Sequence, residues 1–253
     1  MPTTSAHQPL LGKVAVVTGG SNGIGAASVR VLAQAGARVV VGYHQGLERA
    51  ETLCASLPGE GHAILQLPLS DAAVHASAAQ WLQERYGHLD VLVNSAGFTR
   101  RIAHSNLDAL DGALFNEVLL ANAGGTYSIT RAFMPLLRAS GDAVVVNVSS
   151  VSAFTGSGSN VAYCAAKAAI DTMTLSLARA MGTGIRFLSV SPASVDTGFV
   201  PGRDRAELER KAAQTPLGRV VTPEDVAQAV LACVAHLRTA TGTRIVIDGG
   251  ATL

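Results

Sequence analysis

A chain of 253 residues suits one large α/β domain or two small ones. Its apolar content is 48% but only 4% is aromatic, so a core must be built from Ala, Val, Leu and Ile. The formal net charge is +1 without a basic patch, which argues against nucleic acid or an anionic membrane as a main partner.

Cys54, Cys164 and Cys233 are scattered and lack metal-ligand spacing, so a metal site is not expected. They read as free thiols of a reducing compartment, with the cytoplasm as the default location. Cys164 adjoins Tyr163 but falls on another helix face, as a packing thiol. No run of about 18 apolar residues is free of charges and breakers, so no transmembrane helix is expected. Residues 1–9 are polar, carry Pro2 and Pro9, and read as a flexible tail without the apolar core of a signal peptide.

β-branched runs alternate with Ala/Leu-rich stretches from end to end. Strands are predicted at Lys13–Thr18, Arg38–Val41, Ala63–Leu67, Leu89–Val93, Ala143–Val148, Ile185–Val190 and Arg244–Ile247. Helices are predicted at Ile24–Ala35, Glu48–Leu57, Ala72–Tyr86 and Ala162–Ala180. A long helix over Leu110–Leu137 either bends at Gly124-Gly125 or ends near Pro135. Thr222-Pro223-Glu224-Asp225 opens a last helix, with Thr222 as N-cap and Asp225 closing a capping box. The alternation implies one parallel sheet with helices on both faces. Residues 10–253 then form a single catalytic domain. The polar, charged stretch Thr197–Val221 is long for a connection and reads as a substrate loop.

Two motifs carry chemistry. Thr18-Gly19-Gly20-Ser21-Asn22-Gly23-Ile24-Gly25 lies between the first strand and its helix, where doubly wound, Rossmann-type folds hold a pyrophosphate against helix N–H groups. Its spacing, G-x-x-x-G-x-G, departs from the usual dinucleotide pattern. Tyr163 and Lys167 are four apart and share a helix face, so the ammonium is placed to lower the phenol's pKa. Ser150 follows a strand upstream, where its hydroxyl could hold a carbonyl oxygen while Tyr163 protonates it.

Together these elements closely resemble the short-chain dehydrogenase/reductase family over nearly the whole chain. Asn94-Ser95-Ala96-Gly97 is similar to the family's Asn-Asn-Ala-Gly element, with one change. Asn122 stands in the place of its helix asparagine. Ser191–Thr197 resembles the Pro-Gly segment beside the nicotinamide, with Ala193 replacing the Gly. Pro216-Leu217-Gly218-Arg219 resembles the 3-oxoacyl-reductase-like branch, and Asp248-Gly249-Gly250 the closing strand.

The resemblance implies hydride transfer between a nicotinamide and a small-molecule ketone or secondary alcohol. Asn122, Ser150, Tyr163 and Lys167 are then the catalytic set, with Asn122 holding a water that links Lys167 to solvent. Cofactor-binding positions carried over are Gly19, Ser21, Asn22, Gly23, Ile24, Gly25, Tyr43, His44, Leu69, Asn94, Ala96, Gly97, Tyr163, Lys167, Pro192, Val195 and Thr197. A homotetramer built on two long helices and the last strand is also implied.

The usual acid that bonds the adenosine ribose is missing; its place falls at Tyr43, and no acid follows until Glu48. This favours NADP over NAD without excluding NAD. The family's phosphate-binding Arg or Lys is also absent, Asn22 and His44 standing there, with Arg38 or Arg49 in reach. Pro68 replaces the Asp that meets the adenine, and Asp71 comes slightly late. On the substrate side, Arg100, Arg101 and His104 either meet an anionic substrate or carrier phosphate or are solvated surface. An NAD-dependent alcohol dehydrogenase and a catalytically silent cofactor-binding scaffold are the competing readings.

Overall fold

The structure, a computed structural model, describes residues 8–253. Most of the expected N-terminal tail lies outside the described residues. Seven parallel strands form one sheet in the order β3-β2-β1-β4-β5-β6-β7. They span β1 Val14–Thr18, β2 Arg38–Tyr43, β3 Ala63–Gln66, β4 Val91–Asn94, β5 Ala143–Val148, β6 Ile185–Pro192 and β7 Thr243–Ile247. The sequence places each within a few residues.

The helices are α1 Gly23–Gln34, α2 Leu47–Ala55, α3 Ala72–Tyr86, α4 Gly112–Leu119, α5 Gly125–Ser140, α6 Ser152–Thr155, α7 Val161–Ala180, α8 Arg205–Ala212 and α9 Pro223–Leu231. Side chains on each sheet face meet a helical layer. One apolar cluster joins the sheet to α1, α2 and α9, and the other joins it to α3, α5 and α7. Every residue of β1 and β5 is buried, as a strand covered on both faces requires.

The long central helix does not end near Pro135, and its irregularity falls beside Gly124-Gly125. It runs on through Pro135 to Ser140, but α4 and α5 are joined by a π turn at Leu120–Gly124. Gly125 follows because a Cβ there would stand 2.5 Å from the Leu69 carbonyl oxygen. α9 likewise ends in a π turn at Ala232–His236. The α9 capping box forms as expected: Thr222 accepts from Asp225 N–H at 3.1 Å while Asp225 accepts from Thr222 N–H at 2.9 Å. The short α6 carries too little periodicity to be foreseen from sequence.

A polar row crosses the sheet where Thr18, Asn94, Asn147 and Ser189 stand side by side in register. Asn94 Nδ2 donates to Asn147 Oδ1 at 2.9 Å and to Thr130 Oγ1 at 3.1 Å. Asn147 Nδ2 and Ser189 Oγ both donate to Thr174 Oγ1. Thr18 Oγ1 accepts from the backbone N–H groups of Ser95 and Ala96. Buried polar groups linked in this way tie α5 and α7 to the strand ends that carry the site.

Candidate active site

One cleft of about 1600 Å³ opens along the C-terminal ends of the strands, where open α/β sheets place their ligands. Its floor is the turn between β1 and α1. Gly19 takes φ +63° and backs against Ala96, whose Cα would lie 2.9 Å from a Gly19 Cβ. Gly25 is still tighter: a Cβ there would stand 2.1 Å from the Gly19 carbonyl oxygen. This packing forces glycine and lets α1 start directly behind the turn. Asn22 caps that helix, its Oδ1 accepting from Gly23 N–H at 2.8 Å. Ser21, Asn22, Gly23, Ile24 and Gly25 line the cleft with Gly19. Backbone N–H groups at a helix start on a glycine-rich floor suit a pyrophosphate.

Ser150, Tyr163 and Lys167 meet in the other half of the cleft. Asn160 caps α7, accepting from Tyr163 N–H at 2.7 Å, and so fixes where Tyr163 enters. Lys167 lies one turn on, its Nζ 5.6 Å from the centre of the Tyr163 ring and donating to the Val148 carbonyl at 2.7 Å. Ser150 follows the all-buried β5; its Oγ bonds Ser152 Oγ at 3.1 Å and accepts from Ser152 N–H at 3.1 Å. Phe199 tilts over Tyr163 with ring centres 5.9 Å apart.

Electrostatics here correct one expectation. Burial holds the Tyr163 phenol well above its ordinary value, although the adjoining Ser150 hydroxyl and the charge of Arg203 favour the phenolate. The neighbouring ammonium does not win. Lys167 itself is pulled down to about 8 by burial, with Asp171 opposing. Burial therefore favours the protonated form of Tyr163, as suits a proton donor. In a spectrophotometric pH titration at 295 nm, wild type minus Tyr163→Phe should show no tyrosinate amplitude up to pH 10. Amplitude below pH 9 would overturn the reading.

Of the remaining expected residues, His44, Leu69, Ala96, Gly97, Pro192, Val195 and Thr197 line the cleft. Three do not. The Asn94 side chain is turned into the polar row beneath α5. Tyr43 is turned by the strand pleat into the α1–α2 core. Asn122 is buried in the π turn, its Oδ1 accepting from Phe98 N–H and its Nδ2 donating to the carbonyls of Phe98 and Val118. Its side chain is thus tied to the backbone on either side of the cleft wall. Asp71 is spent as the cap of α3. Arg38 lies against Gly61, away from the cleft, and His104 is absent from its lining. Arg49, one of the two cations expected in reach, lines the cleft, and its guanidinium and the Ser21 hydroxyl both border Gly46.

Comparison with known proteins agrees with this geometry. The family described as Enoyl-(Acyl carrier protein) reductase matches residues 19–252. A Streptomyces violaceoruber protein named as a ketoacyl reductase of the granaticin polyketide synthase is 38% identical, over 95% of this chain and 96% of its own. The chain belongs to the short-chain dehydrogenase/reductase family. The cis-4-hydroxycyclohexanecarboxylate dehydrogenase of Sinomonas cyclohexanicum is 34% identical, over 95% of this chain and 96% of its own. The 3-oxoacyl-acyl-carrier-protein reductase of Thermotoga maritima is 31% identical, over 95% and 98%. A short-chain dehydrogenase of Burkholderia cenocepacia, solved in complex with NADP, superposes with a TM-score of 0.88 at 32% identity, covering 97% of this chain and all of that one. As a short-chain dehydrogenase/reductase, this protein is a nicotinamide-dependent oxidoreductase of carbonyl and alcohol groups. No described helix is long and apolar enough to cross a membrane.

Proposed function

We propose that this protein reduces a ketone with NADPH, in the manner of a 3-oxoacyl reductase. The observation that carries the reading is one continuous cleft, with the glycine turn at one end and Ser150, Tyr163 and Lys167 at the other. NADPH, when bound, supplies the hydride. Tyr163 gives its phenolic proton to the substrate oxygen, and the Ser150 hydroxyl donates a hydrogen bond to the same atom as charge develops. Lys167 supplies a cation beside the phenol that steadies the anion left behind. Its preference for the Val148 carbonyl gives it a fixed seat one helical turn from Tyr163. Asn122 in the π turn ties the loop at Phe98 to the helix and stands as the residue that holds a water on the proton path from Lys167 to solvent.

The preference for NADP rests on charge. No acidic residue lines the cleft between Ser21 and Leu69, whereas Arg49 and His44 do. An Arg49 guanidinium nitrogen and the Ser21 hydroxyl lie 2.5 and 3.0 Å from where a Gly46 side chain would begin. A guanidinium beside a hydroxyl fits a ribose 2′-phosphate. Arg49→Ala should raise the dissociation constant for NADPH roughly tenfold and leave that for NADH within about twofold. Fluorescence titration of both nucleotides checks this. Equal losses, or tighter binding of NADH to the wild type, would overturn the preference.

The stretch Thr197–Val221 acts as the substrate loop of one domain that includes residues 10–253. It is tied back by a bridge from Val195 to Val221, and Thr197 rests on Gly23. Exposed Leu120, Tyr127, Val161, Leu175 and Val246 lie on the π turn, α5, α7 and β7. These apolar positions support a homotetramer, and sedimentation as a monomer alone would contradict it. The free cysteines support a cytoplasmic location.

A further inference from the structure

The substrate loop brings three cations to one carboxylate. Glu207, on α8, accepts from Arg101 at 2.9 Å through one oxygen and from Lys211 at 2.9 Å through the other. Arg203 stands 3.9 Å from the same carboxylate, too far for a hydrogen bond. Its side chain is only 15% exposed, and its Nε has no partner among the described residues. The nearby Asp204 is spent capping α8, and Asp196 pairs with Arg205. Arg203 and Lys211 line the cleft; Arg101 and Glu207 do not.

Three positive charges against one negative leave the group two cations in excess, and the surplus faces the cleft. Arg203 also lies near enough to Tyr163 for each to affect the other's ionisation. A half-buried guanidinium with a free donor is costly unless an acceptor arrives. The fork geometry suits a planar or tetrahedral oxyanion.

We propose that Arg203, assisted by Lys211, is a specificity-determining residue that binds an anionic group carried by the substrate at a distance from its carbonyl. Calling the occupant a substrate rests on the reductase reading above. The anion is either a carboxylate of a small oxo acid or the phosphate of a carrier arm. Arg101 belongs to the segment after β4 and, through Glu207, holds α8 in place, so the anion site forms only when the loop lies over the cleft.

The test uses paired probes with NADPH, followed at 340 nm. 4-Oxopentanoate and 5-oxohexanoate are compared with their methyl esters, and acetoacetyl-pantetheine with its 4′-phosphate. Wild type should prefer the anionic member of at least one pair by about tenfold or more in kcat/KM. The pair that shows the preference identifies the source. Arg203→Gln should remove it by raising KM for the anion, and Arg203→Lys should restore part of it. Equal use of both members of every pair, equal losses for anion and ester in Arg203→Gln, or a tenfold loss of NADPH affinity in that variant would each overturn the proposal. Calorimetric titration of 4-oxopentanoate and its ester onto the NADP+-saturated protein, which has no hydride to give, reads the same preference without turnover. Anion-selective binding lost in Arg203→Gln, with no ketone reduced, would support the anion site and sink the reductase reading. Reduction of ketones without anion selectivity would sink the anion site alone.

Discussion

Tyr163→Phe should lower turnover by about 10²–10⁴-fold while NADPH still binds. The substitution removes one oxygen and leaves the ring, so Phe199 keeps its partner 5.9 Å away. The site loses its proton donor and the atom that adjoins Ser150. Its pH profile matters as much as the loss. The phenol is held above its ordinary range by burial, so in the reducing direction it stays protonated across neutral pH and the rate should be flat there. In the oxidising direction the phenolate is needed, and the rate should rise with pH. Turnover by Tyr163→Phe within threefold of wild type would remove Tyr163 from the chemistry, and a rate of reduction that climbs through neutral pH would contradict its protonated state.

Gly25→Ala should abolish NADPH binding and destabilise the fold by about 1–3 kcal/mol, the scale of overpacking. The added methyl has no place to go: the Gly19 carbonyl oxygen lies 2.1 Å from it, and that atom is backbone. Relief requires the turn or the start of α1 to move, and the N–H groups of the pyrophosphate cradle move with it. Gly112→Ala is the matching control. It opens α4, and nothing lies within 4 Å of the new methyl, so stability should change by less than about 0.5 kcal/mol. Urea denaturation and nucleotide titration of the two variants together check the pair. Wild-type affinity in Gly25→Ala would show that the turn does not carry the cofactor.

The fold was legible because it is written in local pattern. Val-rich β5 and the Thr222–Asp225 cap each announce themselves within a few residues. Tyr163 and Lys167 were legible for the same reason, since their spacing fixes a shared face of α7. What failed depended on where a side chain turns once neighbours are present. Asn94 and Asn122 stand where a family resemblance puts them, and no spacing rule reports that their amides bond Asn147 and Thr130 and the backbone of Phe98 and Val118. Tyr43 ends β2 on the pleat side that faces the core. Arg203 was one charge among many in a polar stretch, and no spacing rule reports that Glu207 is already taken by Arg101 and Lys211. The direction of the Tyr163 shift also escaped, because spacing shows proximity but not burial.

The π turn at Leu120–Gly124 stores one residue more than a regular helix would hold. Deleting a single residue there would let α4 and α5 close into one regular helix while the side chains up to Ser140 keep their phase. Gly125 would stay against the Leu69 carbonyl and Phe133 and Leu137 in the core, so the change would fall on the turn itself, where Asn122 holds the backbone of Phe98. The extra residue thus serves the placement of Asn122 beside Phe98, not the packing of α5.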